Sequence, residues 1–131
     1  MKYFTIEELC ASNTAKLKKI NNEPNKEIIN NLTLLIENIL DPLREEYKNP
    51  IIINSGYRCP QLNKLVGGAK TSQHMTGLAA DITVGNKNQN KKLFELAIKM
   101  DLPYDQIIDE SNFSWVHISY SDNPRKQILH L

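Results

Sequence analysis

Three side chains in this sequence are of types that bind transition metals. His74 and Asp81 lie in Ser72-Gln73-His74-Met75-Thr76-Gly77-Leu78-Ala79-Ala80-Asp81-Ile82, and His117 lies in Trp115-Val116-His117-Ile118-Ser119. Two imidazoles and one carboxylate would leave a fourth position open to water. That is the ligand count of a catalytic zinc, whereas a structural zinc is closed by four protein ligands. The chemistry of such a set is metal-assisted hydrolysis. Spacing alone is a weak signal, since an ordinary loop histidine and a turn-capping aspartate would look the same. The neighbours carry more weight. Asp81 stands in the apolar run Ala79-Ala80-Asp81-Ile82. An unpaired carboxylate is costly to bury there and needs a cation, hydrogen-bond donors or a metal. Gly77 and Ala79 are small, which would let His74 approach that run closely.

These residues must be held by strands and by the loops between them. Leu78 to Val84 reads as a central strand. Gln106-Ile107-Ile108 and Trp115 to Tyr120 read as a hairpin with Asn112 in its turn. Side chains alternate along a strand, so Val116 and Ile118 face a core while Trp115, His117 and Ser119 face a cleft. In that position Trp115 would wall the site. Ile51-Ile52-Ile53 is a short β-branched run, expected to be a buried strand, and Lys126 to Leu129 is a last strand after Pro124. Thr5 with Glu8 forms a capping-box pattern and starts a short helix. Ile28, Ile29, Leu32, Leu35, Ile36, Ile39, Leu40 and Leu43 recur at helical spacing, and Pro42 should kink or end that helix near Asp41. Gln61 to Val66 is a helical turn stopped by Gly67-Gly68. Asn90 is placed to cap a helix from Lys91 to Met100. This order predicts an α+β domain, a mainly antiparallel sheet with helices packed on one face.

The bulk numbers fit one domain spanning residues 1–131, with 40% hydrophobic and 24% charged residues. A net charge of +1 without a run of one sign gives no support for nucleic-acid or membrane-surface partners. Cys10 and Cys59 are too few for a disulfide framework and are read as reduced thiols. The N-terminal segment has no apolar stretch of signal-peptide length, and no segment approaches the ~18 apolar residues of a membrane span. The expectation is a monomer made in the cytoplasm.

Taken in order, Ser55-Gly56-Tyr57-Arg58, then Ser72-x-His74-x-x-Gly77-x-Ala79-x-Asp81-Ile82, then Trp115-x-His117-x-Ser119, resemble the zinc D-alanyl-D-alanine peptidase family. Its fold is shared with the signalling domain of hedgehog proteins. The motif-bearing part runs from about Ile51 to Tyr120. The resemblance implies zinc at His74, Asp81 and His117, an Arg58 that pairs with a substrate carboxylate, and a Ser72 that hydrogen-bonds the substrate. Arginine suits that task because its planar fork of donors matches a carboxylate.

One departure concerns the general base. Several members of that family carry a glutamate three residues before the last zinc histidine; here the position is Ser114. The nearest acids are Asp109 and Glu110, and strand alternation allows only one of them to face the site. Glu110 is the first choice and Asp109 the second. The implied activity is hydrolysis of peptidoglycan stem peptides, as a D-Ala-D-Ala carboxypeptidase or as an endopeptidase at a bond such as L-Ala-D-Glu. Without a leader, the protein would reach wall peptides by phage-mediated release or act on muropeptides in the cytoplasm. The competing reading is a non-catalytic, zinc-containing binding module of the hedgehog-type fold.

Overall fold

The computed structural model describes residues 1–131. Two short helices open the chain, α1 (Ile6–Cys10) and α2 (Asn13–Leu17). Thr5 caps α1, its hydroxyl accepting from the Glu8 amide as the capping-box pattern predicts. The long amphipathic segment follows as α3 (Lys26–Leu35), a π-helical turn (Ile36–Leu40) and α4 (Asp41–Tyr47). The helix therefore runs past Pro42 instead of ending. Proline has no N–H to donate and its ring crowds the preceding turn. The wider π turn just before it, with Asp41 N bonded to Ile36 O, absorbs that mismatch. Leu32, Leu35, Ile36, Ile39, Leu40 and Leu43 are completely buried. At ~1.5–3 kcal/mol for each buried side chain, they make this helix the main support of the sheet.

The sheet contains β1 (Ile52–Ser55), β2 (Ala79–Thr83), β3 (Tyr104–Glu110), β4 (Trp115–Tyr120) and β5 (Gln127–His130), in the order β1-β2-β4-β3-β5. The first three pairings are antiparallel, but β5 joins β3 in parallel. The sheet is thus mixed, not mainly antiparallel. After β4 the chain recrosses the sheet end near Asp105, and β5 adds to the free edge of β3 in the same direction as β3. β1 is likewise not a buried strand. It lies at the other edge, and Ile52 is 56% exposed while Ile51 before it is buried.

Helix α5 (Pro60–Leu65) and a 3₁₀ turn (Gln73–Thr76) lie in the long connection from β1 to β2. Helix α6 (Lys87–Lys99) joins β2 to β3. Its cap is Asn86, whose side chain accepts from the Gln89 amide, and not Asn90 as the sequence suggested. Asn90 is buried within the first turns of α6 and bonds outward to Thr83, Val84, Phe113 and Ser114. One core unites the helices with a single face of the sheet, through Leu9, Leu40, Leu93 and Phe94 against Ala80, Ile82, Ile107, Val116 and Ile118. The opposite face carries the site.

Candidate metal centre and active-site cleft

Register decides which side chains meet. Asp81 pairs with His117, and His117 pairs with Ile108. Residues directly opposite in antiparallel strands project to the same face. Asp81, His117 and Ile108 therefore form one row across β2, β4 and β3. Asp81 Oδ1 lies 3.0 Å from His117 Nδ1 and 3.3 Å from His74 Nε2. The two rings meet edge to face, with centroids 5.1 Å apart. His74 reaches this row from the 3₁₀ turn. Ser72 caps that turn, its hydroxyl oxygen accepting from the His74 amide at 3.2 Å. Gly77 ends it at φ +77°, in the left-handed region that favours glycine. A Cβ at Gly77 would meet Ile28 and Leu32 of α3. The small residue thus serves the helix beneath, and not the approach of His74 to the strand as expected.

The donor set fits a metal. His74 is 1% exposed, and its Nδ1 lies 2.6 Å from the Gly56 carbonyl, to which it donates. In the neutral ring that leaves Nε2 as an acceptor. It faces Asp81 Oδ1, a second acceptor. Two lone pairs at 3.3 Å repel unless a cation lies between them. A backbone carbonyl holding the far nitrogen is also the usual way a metal-binding imidazole is oriented. The ligand atoms of all three residues lie within 4.8 Å of one another. The two close separations match the ~3.3 Å edge expected of a tetrahedron with ~2.0–2.1 Å metal–ligand bonds. Burial pushes the Asp81 carboxyl up; protonated His117 and His74, which donate to it where no metal is bound, outweigh this and hold the group well below the usual carboxylate range. It is an anion, as a ligand must be.

Gly56 supplies that carbonyl for a steric reason. A Cβ there would lie 2.1 Å from Leu9 O, so only glycine lets β1 pass so close to α1. The next residue, Tyr57, locks the crossing with a 2.7 Å bond from its amide to Leu9 O. Arg58 follows, its amide bonded to His74 O at 3.0 Å. The Arg58 side chain lines the cleft with Asp81, and its Nε is buried without an acceptor. Burial pulls its pKa down and the charge of Asp81 partly restores it.

A cavity of about 480 Å³ opens beside the three potential ligands, and Arg58, Ser72 and Glu110 line it. Glu110 lies two residues along β3 from Ile108, the partner of His117, and so faces the cleft. Asp109, the second choice, points to the core face, where it is buried and paired with His130. Ser114 sits in the hairpin turn and donates to Ser111 O. Trp115 lies opposite Glu110 on the cleft face, half-buried, with its Nε1 buried and unbonded. Cys10 and Cys59 are both unpaired.

Sequence reasoning missed Gln73, Asp105 and Arg125. Asp105 is buried and accepts from Gln73 Nε2 at 3.0 Å, from the Arg125 amide at 3.0 Å and from Arg125 Nη2 at 2.7 Å. These residues are far apart in the chain, and no local pattern marks them. Asn90 likewise serves as no cap: it clamps the end of β2 to the β3–β4 turn that follows Glu110.

An α+β domain that gathers two imidazoles and a carboxylate at one cleft, with an acid and a free arginine beside them, is built for metal-assisted hydrolysis. The chain belongs to the Peptidase M15 family, whose model matches residues 2–119. Members of this family are metallopeptidases, and a peptidase function follows for this chain. No curated protein matches it. No helix is long and apolar enough to cross a membrane.

Proposed function

We propose that the protein is a zinc-dependent peptidase that hydrolyses peptide bonds in peptidoglycan stem peptides. The observation that carries this reading is the Arg58 guanidinium, with a buried Nε that has no acceptor, in one cleft with the His74–Asp81–His117 group. An N–H buried without an acceptor is costly, and a substrate carboxylate would supply the acceptor to this half-buried guanidinium. His74 through Nε2, Asp81 through its carboxylate and His117 through Nδ1 would hold the metal, and this donor set suits zinc. Zinc bound there supplies a water of pKa ~7 and polarises the scissile carbonyl.

The remaining steps belong to the chain. Glu110 takes the proton of the attacking water and returns it to the leaving amine. Ser72 uses its oxygen to cap the His74 turn, so its O–H is free to donate to the substrate. Trp115, expected to wall the site, lies outside the lining of the cavity and backs the strand beside Glu110 instead. The substrate is a stem peptide cut at a terminal D-Ala-D-Ala bond or at an internal bond such as L-Ala-D-Glu. We propose a monomer that acts on wall peptides, in a lysis role such as that of a phage enzyme.

The test is incubation of zinc-loaded and zinc-stripped protein with defined muropeptides, followed by mass spectrometry of the products. A single zinc-dependent cut is expected. Absence of any cut by fully loaded protein would transfer the lead to a non-catalytic zinc-containing binding module.

A further inference from the structure

Arg125 lines the same cleft as His74, Asp81, His117 and Glu110. It lies beyond residues 2–119, the part of the chain that matches the family. Its side chain is 58% exposed, yet its partner Asp105 is only 7% exposed. The buried carboxylate takes Arg125 Nε at 3.1 Å and Nη2 at 2.7 Å, and its Oδ1 also takes the Arg125 amide at 3.0 Å. Asp105 in turn is tied to Gln73, the neighbour of His74. The guanidinium is therefore fixed at its backbone and at one edge. A guanidinium has five N–H donors, of which Asp105 uses one on Nε and one on Nη2. Both Nη1 donors and one on Nη2 make no bond within the protein.

We infer that Arg125 is a second anion-recognition residue, which binds a substrate carboxylate distinct from the one taken by Arg58, so that the preferred substrate is an acidic peptide with two carboxylates within reach of the cleft. Three features support this role. The free donors belong to a planar fork that suits a carboxylate. The side chain is already ordered, so binding costs little further rotamer entropy. The cleft holds Arg58 and Arg125 as its two cations, and Arg58 has no protein acceptor for its buried Nε. Asp105 balances the charge of Arg125 in the free protein but leaves its outward donors open. A neutral peptide would leave the Arg58 Nε and the outward donors of Arg125 without an anion, while a peptide with two carboxylates supplies one to each.

This inference rests on the proposed peptidase site for its substrate, and the test separates the two. Stem peptides of one sequence are prepared with each carboxylate amidated in turn. Cleavage rates and calorimetric binding are measured for the wild type, Arg125→Gln and Arg125→Lys, with thermal melting to establish that each variant is folded. We expect the wild type to favour two of the carboxylates by tenfold or more. Arg125→Gln should lose one of these preferences and keep the Arg58-dependent one. Arg125→Lys should recover part of the lost preference, since it keeps the charge but not the fork. If the wild type cleaves and Arg125→Gln keeps both preferences, or loses rate equally on all peptides, the role of Arg125 is refuted and the peptidase reading stands. If nothing is cleaved but calorimetry shows a carboxylate preference that Arg125→Gln removes, Arg125 stands and the peptidase reading falls. If the wild type neither cleaves nor binds any peptide, both fall.

Discussion

Asn90→Ala separates two roles for one side chain. A helix cap replaced by alanine costs ~1 kcal/mol. The structure gives Asn90 a different task. Its Oδ1 accepts from Thr83 Oγ1 at 3.1 Å and from the Val84 amide at 2.8 Å, while its Nδ2 donates to Phe113 O at 2.8 Å and Ser114 O at 3.1 Å. Alanine removes all four bonds and leaves three backbone groups without these partners. A stranded buried polar group costs ~1–3 kcal/mol. The turn lies near the surface, so water would recover part of this loss. The Ser111-Asn112-Phe113 turn adds to the cost, because all three residues are left-handed at φ 48°, 56° and 63°. Each such residue is unfavourable by ~1–2 kcal/mol, and the Asn90 clamp helps to hold them there. The expected loss is about 3–5 kcal/mol. Asn86→Ala, which removes the true cap of α6, should cost about 1 kcal/mol. Urea denaturation of the wild type and both variants at one pH measures the difference. Glu110 immediately precedes this turn, so turnover by Asn90→Ala should also fall under conditions where it is still folded. Equal losses for Asn86→Ala and Asn90→Ala would refute the clamp.

Glu110→Gln should abolish turnover, a loss of ~10²–10⁴-fold, with metal content unchanged by elemental analysis. Asp109→Asn should lower stability through its His130 partner and spare the chemistry; a reversed pattern would move the base to Asp109. Arg58→Ala should reduce cleavage of peptides with a free carboxylate more than of their amidated forms, by ~1.5–3 kcal/mol in kcat/KM, and equal losses would remove Arg58 from carboxylate recognition. Asp105 titrates at about 2 because the hydrogen bonds of Arg125 hold its carboxyl down. A depressed folded-state pKa gives stability that is present above the unfolded value near 4 and lost as pH falls toward 2. The pair should contribute about 1–2 kcal/mol at neutral pH, after allowance for the solvent-exposed Arg125. The gap in unfolding free energy between the wild type and Asp105→Asn should therefore close between about pH 4 and 2; a gap independent of pH would contradict the pairing.

What was legible in the sequence had local causes. The α3–α4 helix shows in its apolar spacing, α1 in the Thr5–Glu8 pattern, and the β3–β4 hairpin in its two strand-like runs with Asn112 in the turn between them. Alternation along β4 also put His117 opposite Val116 and Ile118 correctly, because a one-residue slip would bury the imidazole and expose the core. The face of Glu110 against Asp109 followed only once the pairing with Trp115 and Val116 was known. What stayed hidden was tertiary. The parallel pairing of β5 depends on where the chain recrosses the sheet, which no local signal fixes. Asn90 looks like a cap in any single-segment reading, since its partners lie on β2 and the hairpin turn. Gly56 O orients His74 from 18 residues away, and Asp105 reaches Gln73 and Arg125 across 32 and 20 residues. None of these pairings leaves a periodic trace. Pro42 was read correctly as a disturbance, but the π turn that absorbs it is visible only in the backbone.

His74, Asp81 and His117 are proposed to hold one metal ion. Anomalous diffraction at the zinc edge, from crystals of zinc-loaded protein, tests this most directly. One strong peak per chain is expected, within bonding distance of His74 Nε2, the Asp81 carboxylate and His117 Nδ1, and it should be lost in His117→Ala. A peak at other residues, or none in protein that elemental analysis shows to be loaded, would remove these three residues as the metal's ligands.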